Sequence, residues 1–166
     1  MRQGSWEVRK GLRSKKKQEM QGCLVWGEGG RRGNTRRHAK GRPVVYMAEN
    51  PAGAMLEQLV HLPDDEGSKL PDTYTMLEIV FPEELAVKEL IAVAPADWRE
   101  NLDITRGSGE AWLASHEAAS ARGPSVVAPR TWNALLNPAH PDAAKVRIEA
   151  VFQERFDIRL FRRALG

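Results

Sequence analysis

Residues 43–63, PVVYMAENPAGAMLEQLVHLP, constrain the fold more than any other part of the chain. Pro43–Met47 is apolar and reads as a short strand bounded by Gly41. Asn50 and Pro51 then mark a helix start. An asparagine side chain caps the free N–H groups of a first turn, and proline at the first helical position gives up no hydrogen bond. Ala52, Met55, Leu56, Leu59 and Val60 follow at helical spacing as one apolar stripe, and the helix stops before Pro63. Strand and helix are thus locked together by a short turn, and the rest of the fold must be arranged around the pair.

The same rules carried along the chain predict more strands than helices. Residues 64–71 are a polar loop. Thr73–Phe81 is a strand with Thr75, Leu77, Ile79 and Phe81 on one face, and Leu85–Val93 is another. Asp97–Arg106 reads as a loop, and Glu110–Ala121 as a helix capped by Ser108 and stopped by Gly123. Ser125–Ala128 reads as a buried strand and Asn133–Asp142 as a loop. Val146–Phe152 and Phe156–Phe161 read as two strands separated by a polar break. The sum is a mixed α+β domain.

Charge divides the chain. Residues 1–42 hold 13 Lys/Arg against 3 Asp/Glu, and residues 43–166 hold the remaining 12 against 19. Residues 1–26, with the run RSKKKQEMQG, have no helical or strand period and read as an irregular basic leader. The folded domain is expected at 27–166, opening on a loop rich in Gly and Arg over 27–42. A basic arm of this kind could meet nucleic acid, but it lacks interleaved aromatics and the remainder is acidic, so direct nucleic-acid binding is not expected. No run of 18 apolar residues exists and no signal peptide is expected, so the expectation is a cytoplasmic protein away from membranes. A single cysteine, Cys23, fits a reducing compartment.

Three kinds of side chain stand out. Glu57 lies on the flank of the apolar stripe, with the small Gly53 one turn earlier leaving room beside its carboxylate. Tyr46 closes the strand four residues before the cap, where a ring can stack on a planar base. Arg31, Arg32, Arg36, Arg37 and Arg42 lie in the preceding loop, and guanidinium forks suit pyrophosphate. Taken singly, each has a plain reading: a surface glutamate, a core tyrosine, a solvated arginine loop. Ser125 follows Gly123–Pro124 without the glycine two residues later that a serine-hydrolase elbow requires. His61, His116 and His140 lack metal-ligand spacing. Trp132, Asn133, Asn137, His140 and Asp142 read as a polar segment held by its own Asn and Asp turns.

Together, GRPVVYMAENPAGAMLEQLVHL and PSVVAPRTWNALLNPAHPDAAKVRI resemble the RES domain family, named for an arginine, a glutamate and a serine. NPAHPD at Asn137–Asp142 is a further signature. The turn before the family's G-x-P-V-V-Y strand corresponds to RRHAKGRPVVY, which places the arginine at Arg36, with Arg37 where the family has tryptophan. The tyrosine falls on Tyr46, the glutamate on Glu57 and the serine on Ser125.

The resemblance implies a mixed, split β-sheet with flanking helices, related to ADP-ribosyltransferases, with a cleft for NAD. It implies a toxin of a bacterial toxin–antitoxin pair that cleaves the nicotinamide–ribose bond, as a glycohydrolase or phosphorylase. Glu57, Tyr46 and Arg36 would be catalytic; Arg36, Tyr46, Ser125, Arg31, Arg32 and Asn137 would bind NAD. NAD would be substrate, with no resident cofactor or metal, and inorganic phosphate is a candidate co-substrate. The partner implied is a helix-turn-helix antitoxin of the Xre type, forming a hetero-oligomer. Two alternatives stand beside this: a toxin that ADP-ribosylates protein, and an inactive remnant that only binds an antitoxin. Residue types do not decide whether water, phosphate or protein accepts the ADP-ribose.

Overall fold

The structure, a computed structural model, describes residues 4–10, 35–61, 73–91 and 95–161. Its strands are β1 (Gly4–Lys10), β2 (Val45–Ala48), β3 (Thr73–Val80), β4 (Val87–Glu89), β5 (Ser120–Pro124), β6 (Trp132–Leu136) and β7 (Arg147–Arg155). Its α-helices are α1 (Pro51–Leu59) and α2 (Leu102–Ser115), and single 3-10 turns span Pro141–Lys145 and Ile158–Phe161. The strands join in the order β4-β5-β6-β2-β1-β3-β7. All neighbours are antiparallel except β4 and β5.

The sheet is mixed and divides in two. β1 follows β3 in continuous register from Gly4 opposite Val80 to Lys10 opposite Tyr74, but meets β2 only at Trp6 opposite Ala48. Val45, Met47 and Leu136 of one half share a core with Leu77, Ile79 and Ile148 of the other, so the halves fold over a common apolar layer. On the opposite face of the β2 half, Val44, Ala121 and Leu135 pack against Trp112 and Leu113 of α2. The Trp112 indole N–H, buried with its ring, donates to the Ala118 carbonyl at 2.9 Å.

Several elements differ from the sequence reading. The basic leader contributes β1; residues 11–34, with the expected domain boundary, lie outside the described residues. The β2 strand starts two residues later and ends one residue later than Pro43–Met47, and within the described part of the expected Leu85–Val93 strand only Val87–Glu89 is strand, as β4. The second helix starts at Leu102, where the Asn101 side chain accepts from Asp103 N–H, and ends at His116 in the left-handed conformation. Ser108 is therefore inside the helix, and Gly123 lies in a strand. Ser125 follows β5 instead of opening a strand, and the expected Asn133 loop begins inside β6. The expected Val146–Phe152 strand runs on to Arg155 as β7, and the expected Phe156–Phe161 strand is replaced by the 3-10 turn at Ile158–Phe161.

Helix α1 starts as expected: the Asn50 side chain accepts from Gly53 N–H at 2.8 Å with Pro51 in the first turn. Its buried face, however, is Gly53 and Ala54, while Leu56 and Val60 are 42% and 54% exposed. A Cβ on Gly53 would stand 3.3 Å from that of Ala48, so α1 closes on β2 through the glycine. That close approach sets the rotation of the helix and swings Glu57, one turn on, toward the sheet. Among the described residues no helix is long and apolar enough to cross a membrane.

Candidate active site

The site lies where α1, the end of β5, β6 and the turn before β2 converge. Strand pairing sets its floor. Tyr46 and Ala48 share a face of β2; Ala48 is opposite Asn133, and Asn133 is opposite Gly123. Glu57 reaches this floor from α1. Its Oε1 accepts from Asn133 Nδ2 at 2.7 Å and from Ser125 Oγ at 2.9 Å. Among the described residues, Oε2 accepts no hydrogen bond. Ser125 is buried and tightly held: its N–H donates to the Thr131 carbonyl, and its Oγ accepts from Ala128 N–H at 3.0 Å. The hydroxyl proton is thereby directed at Glu57.

The turn before β2 supplies a cation and a ring. Thr35 Oγ1 accepts from the backbone N–H groups of Arg37 and His38, both at 3.2 Å, and meets the Tyr46 hydroxyl at 2.7 Å. The His38 ring packs against Tyr46 at 5.7 Å between centroids. Burial pushes the Tyr46 phenol up to about 12, against the opposing pull of the Thr35 hydrogen bond and the Arg37 charge. Tyr46 therefore stays protonated at neutral pH and serves as a neutral donor or acceptor. Its folded value exceeds the ordinary 10, so the stability it contributes is fully present below pH 10 and is lost as pH rises toward about 12. Near-ultraviolet titration of the parent against Tyr46→Phe should show a tyrosine transition near 12 that the variant lacks. Ordinary ionisation of Tyr46 near 10 would contradict that placement.

Arg37 is only 4% exposed. Its Nη2 donates to the Pro124 carbonyl at 2.7 Å, directly before Ser125. The guanidinium lies over Gly123, where a Cβ would stand 2.5 Å from Nη1, so no other residue fits there unmoved. Among the described residues Nη1 has no hydrogen-bond partner. Burial lowers the Arg37 pKa, opposed by Tyr46 and by Glu57, with Arg36 acting in the same direction as burial.

The structure brings together Tyr46, Glu57 and Ser125 of the expected residues. Arg36, expected to hold pyrophosphate, turns outward and donates to the Arg99 carbonyl at 2.7 Å; the arginine beside Tyr46 and Glu57 is its neighbour Arg37. Arg31 and Arg32 lie outside the described residues. Asn137 is buried in a turn: its N–H donates to the Ala119 carbonyl, and its Oδ1 accepts from Ala139 N–H at 3.0 Å. That side chain holds its own loop. Asn133, which the sequence places in a self-bonded polar segment, donates to Glu57 instead. The run Trp-Asn-Ala-Leu-Leu at Trp132–Leu136 has no polar–apolar alternation, so no period-2 signal marked Asn133 as projecting from a strand.

A buried cation, a ring with a fixed hydroxyl and an oriented carboxylate thus stand around one floor. The RES domain profile matches residues 11–159, and the chain belongs to the RES domain family. A protein named Toxin Res from Pseudomonas putida is 42% identical over 125 residues, 74% of this chain and 85% of that protein. The Prs ADP-ribosylating toxin of a Sphingobium species is 33% identical over 129 residues, 75% of this chain and 78% of that protein. In fold, the chain is similar to a structure of the MbcT–MbcA toxin–antitoxin complex of M. tuberculosis. The TM-score is 0.64 at 14% identity, covering 93% of this chain and 85% of that one.

Proposed function

We propose that this chain is the toxin of a toxin–antitoxin pair and that it breaks the nicotinamide–ribose bond of NAD at the Glu57 site. The observation that carries this reading is the Glu57 carboxylate, held through one oxygen beside the buried Arg37 and the protonated Tyr46. Membership of the RES domain family, and a relative named an ADP-ribosylating toxin, support NAD as the substrate.

As the C1′–N bond breaks, its electron pair goes to the pyridine nitrogen and nicotinamide leaves neutral. Positive charge develops on the ribose, and an oriented carboxylate stabilises it. An oxygen nucleophile then bonds to C1′ and releases its proton, which Glu57 can accept. Arg37 suits the pyrophosphate by charge, and Tyr46 suits a ring or a ribose hydroxyl by position. No metal or resident cofactor enters this scheme.

A second reading has its own support: the Sphingobium relative is named an ADP-ribosylating toxin, so the acceptor in this chain is either a small nucleophile or a protein side chain. The product tells these apart, as free ADP-ribose, ADP-ribose phosphate or protein-bound label. The partner we propose is a helix-turn-helix antitoxin of the Xre type, acting in the cytoplasm. Expression of the chain alone should deplete cellular NAD and arrest growth, and co-expression of that partner should restore both. Level NAD in cells that accumulate folded protein would refute the toxin reading.

A further inference from the structure

We propose that Asn133 is a positioning residue for Glu57: with Ser125 it ties down Oε1, so that Oε2 is the oxygen the carboxylate presents to substrate. The proposal rests on the reading above for what Oε2 meets, but not for the contact itself. Two donors from separate elements converge on one oxygen, at 2.7 and 2.9 Å. Hydrogen bonds to a charged acceptor are roughly twice as strong as neutral ones, so the pair sets the carboxylate's rotation firmly.

Both donors stand on rigid supports. The Asn133 backbone lies inside the sheet, opposite Ala48 on one side and Gly123 on the other. Its preceding carbonyl, on Trp132, accepts from Glu49 N–H at 3.1 Å, tying β6 to the turn that leads into α1. Ser125 is clamped by Thr131 and Ala128 through its N–H and Oγ. Glu57 sits on a helix whose distance from the sheet is set by Gly53 against Ala48. Glu57 and Asn133 thus stand on a helix and a strand, which hold a site more precisely than loops do, and Ser125 stands on a turn fixed by its own hydrogen bonds. Neither donor lies on α1, so packing within the helix cannot replace them.

The test is a double-mutant cycle read by nicotinamide release, joined to an activity-independent readout. Asn133→Ala should lower kcat by at least about tenfold, with KM little changed, because small misplacements of a reacting group cost up to about a hundredfold. In a Glu57→Gln background the same substitution should change kcat by less than about twofold, since no carboxylate remains to be aimed. A merely structural Asn133 would cost the same factor in both backgrounds, and that result overturns the proposal. Separately, the Asn133 side-chain amide signals, identified by their loss in Asn133→Ser, should shift and exchange faster with solvent in Glu57→Ala. Signals unmoved by Glu57→Ala also overturn it. If the parent releases no nicotinamide, the NAD reading fails, and the amide signals alone decide the positioning role.

Discussion

Glu57→Gln is expected to lower kcat for NAD cleavage by on the order of 10²–10³, with KM nearly unchanged. Glutamine keeps the length and shape of the side chain, and its amide oxygen can still accept from Ser125 and Asn133, which both meet Oε1 in the parent. What it loses is the negative charge facing the ribose. That charge matters most when the ribose is cationic, in the transition state, and little when intact NAD binds. An interaction made only in the transition state appears in kcat and leaves KM almost untouched. Melting should change little, since the packing face of α1 is Gly53 and Ala54. A folded variant with parental kcat would return Glu57 to the role of a partly exposed helix residue.

Gly109→Ala is expected to be the most destabilising glycine-to-alanine change among the described residues. Gly109 lies in α2, and a Cβ there would overlap the Arg37 carbonyl oxygen. The obstructing atom is backbone, so no rotamer relieves it; either α2 or the turn at 35–39 must move. Several contacts run between the two, including Ala39 N–H to Glu110 Oε1 at 2.6 Å and Arg106 Nε to the Thr35 carbonyl at 3.3 Å. Alanine gains about 1 kcal/mol in helix propensity, but overpacking of this kind costs about 1–3 kcal/mol or more. A net loss of about 2 kcal/mol would lower Tm by roughly 4–8 °C in a chain of this size. Gly107→Ala in the same helix is the control. Among the described residues nothing lies within 4 Å of its Cβ, so it should raise stability by up to about 1 kcal/mol. Equal melting of the two variants would contradict the close approach of α2 to Arg37.

The parts of the site legible in the sequence are those carried by local rules. The Asn50–Pro51 start of α1 follows from capping chemistry and is found as expected. The interval from the β2 tyrosine to the helix glutamate follows once strand and helix are placed. What stayed hidden depends on tertiary approach. The stripe of α1 was misassigned because residue hydrophobicity does not reveal that Gly53 packs tightly on Ala48, a contact that turns Leu56 outward. Strand β5, Ser-Ala-Arg-Gly-Pro, has little intrinsic strand preference; pairing with β4 on one side and β6 on the other overrides it. Helix α2 was mistaken at both ends because Gly107 and Gly109 weaken its helical pattern, although Gly109 is needed for the contact with Arg37.

Arg36 and Arg37 show the limit most directly. Charge cannot say which of two adjacent arginines turns inward. That is decided by Thr35, whose hydroxyl closes the turn, and by Gly123, whose missing side chain makes room for one guanidinium. β1 carried a readable alternation, Trp6 and Val8 against Ser5, Glu7 and Arg9, masked by the charge around it.

The most direct test of the account is incubation of the purified chain, free of any partner, with NAD alone, followed by quantification of nicotinamide. The account predicts nicotinamide in amounts far exceeding the protein, rising in proportion to enzyme and time when water or added phosphate is the acceptor. Where protein is the acceptor, release should require that protein and match the label it gains. In every case Glu57→Gln should abolish most of the release. NAD recovered intact after prolonged incubation with folded parent protein, phosphate and cell extract would contradict it.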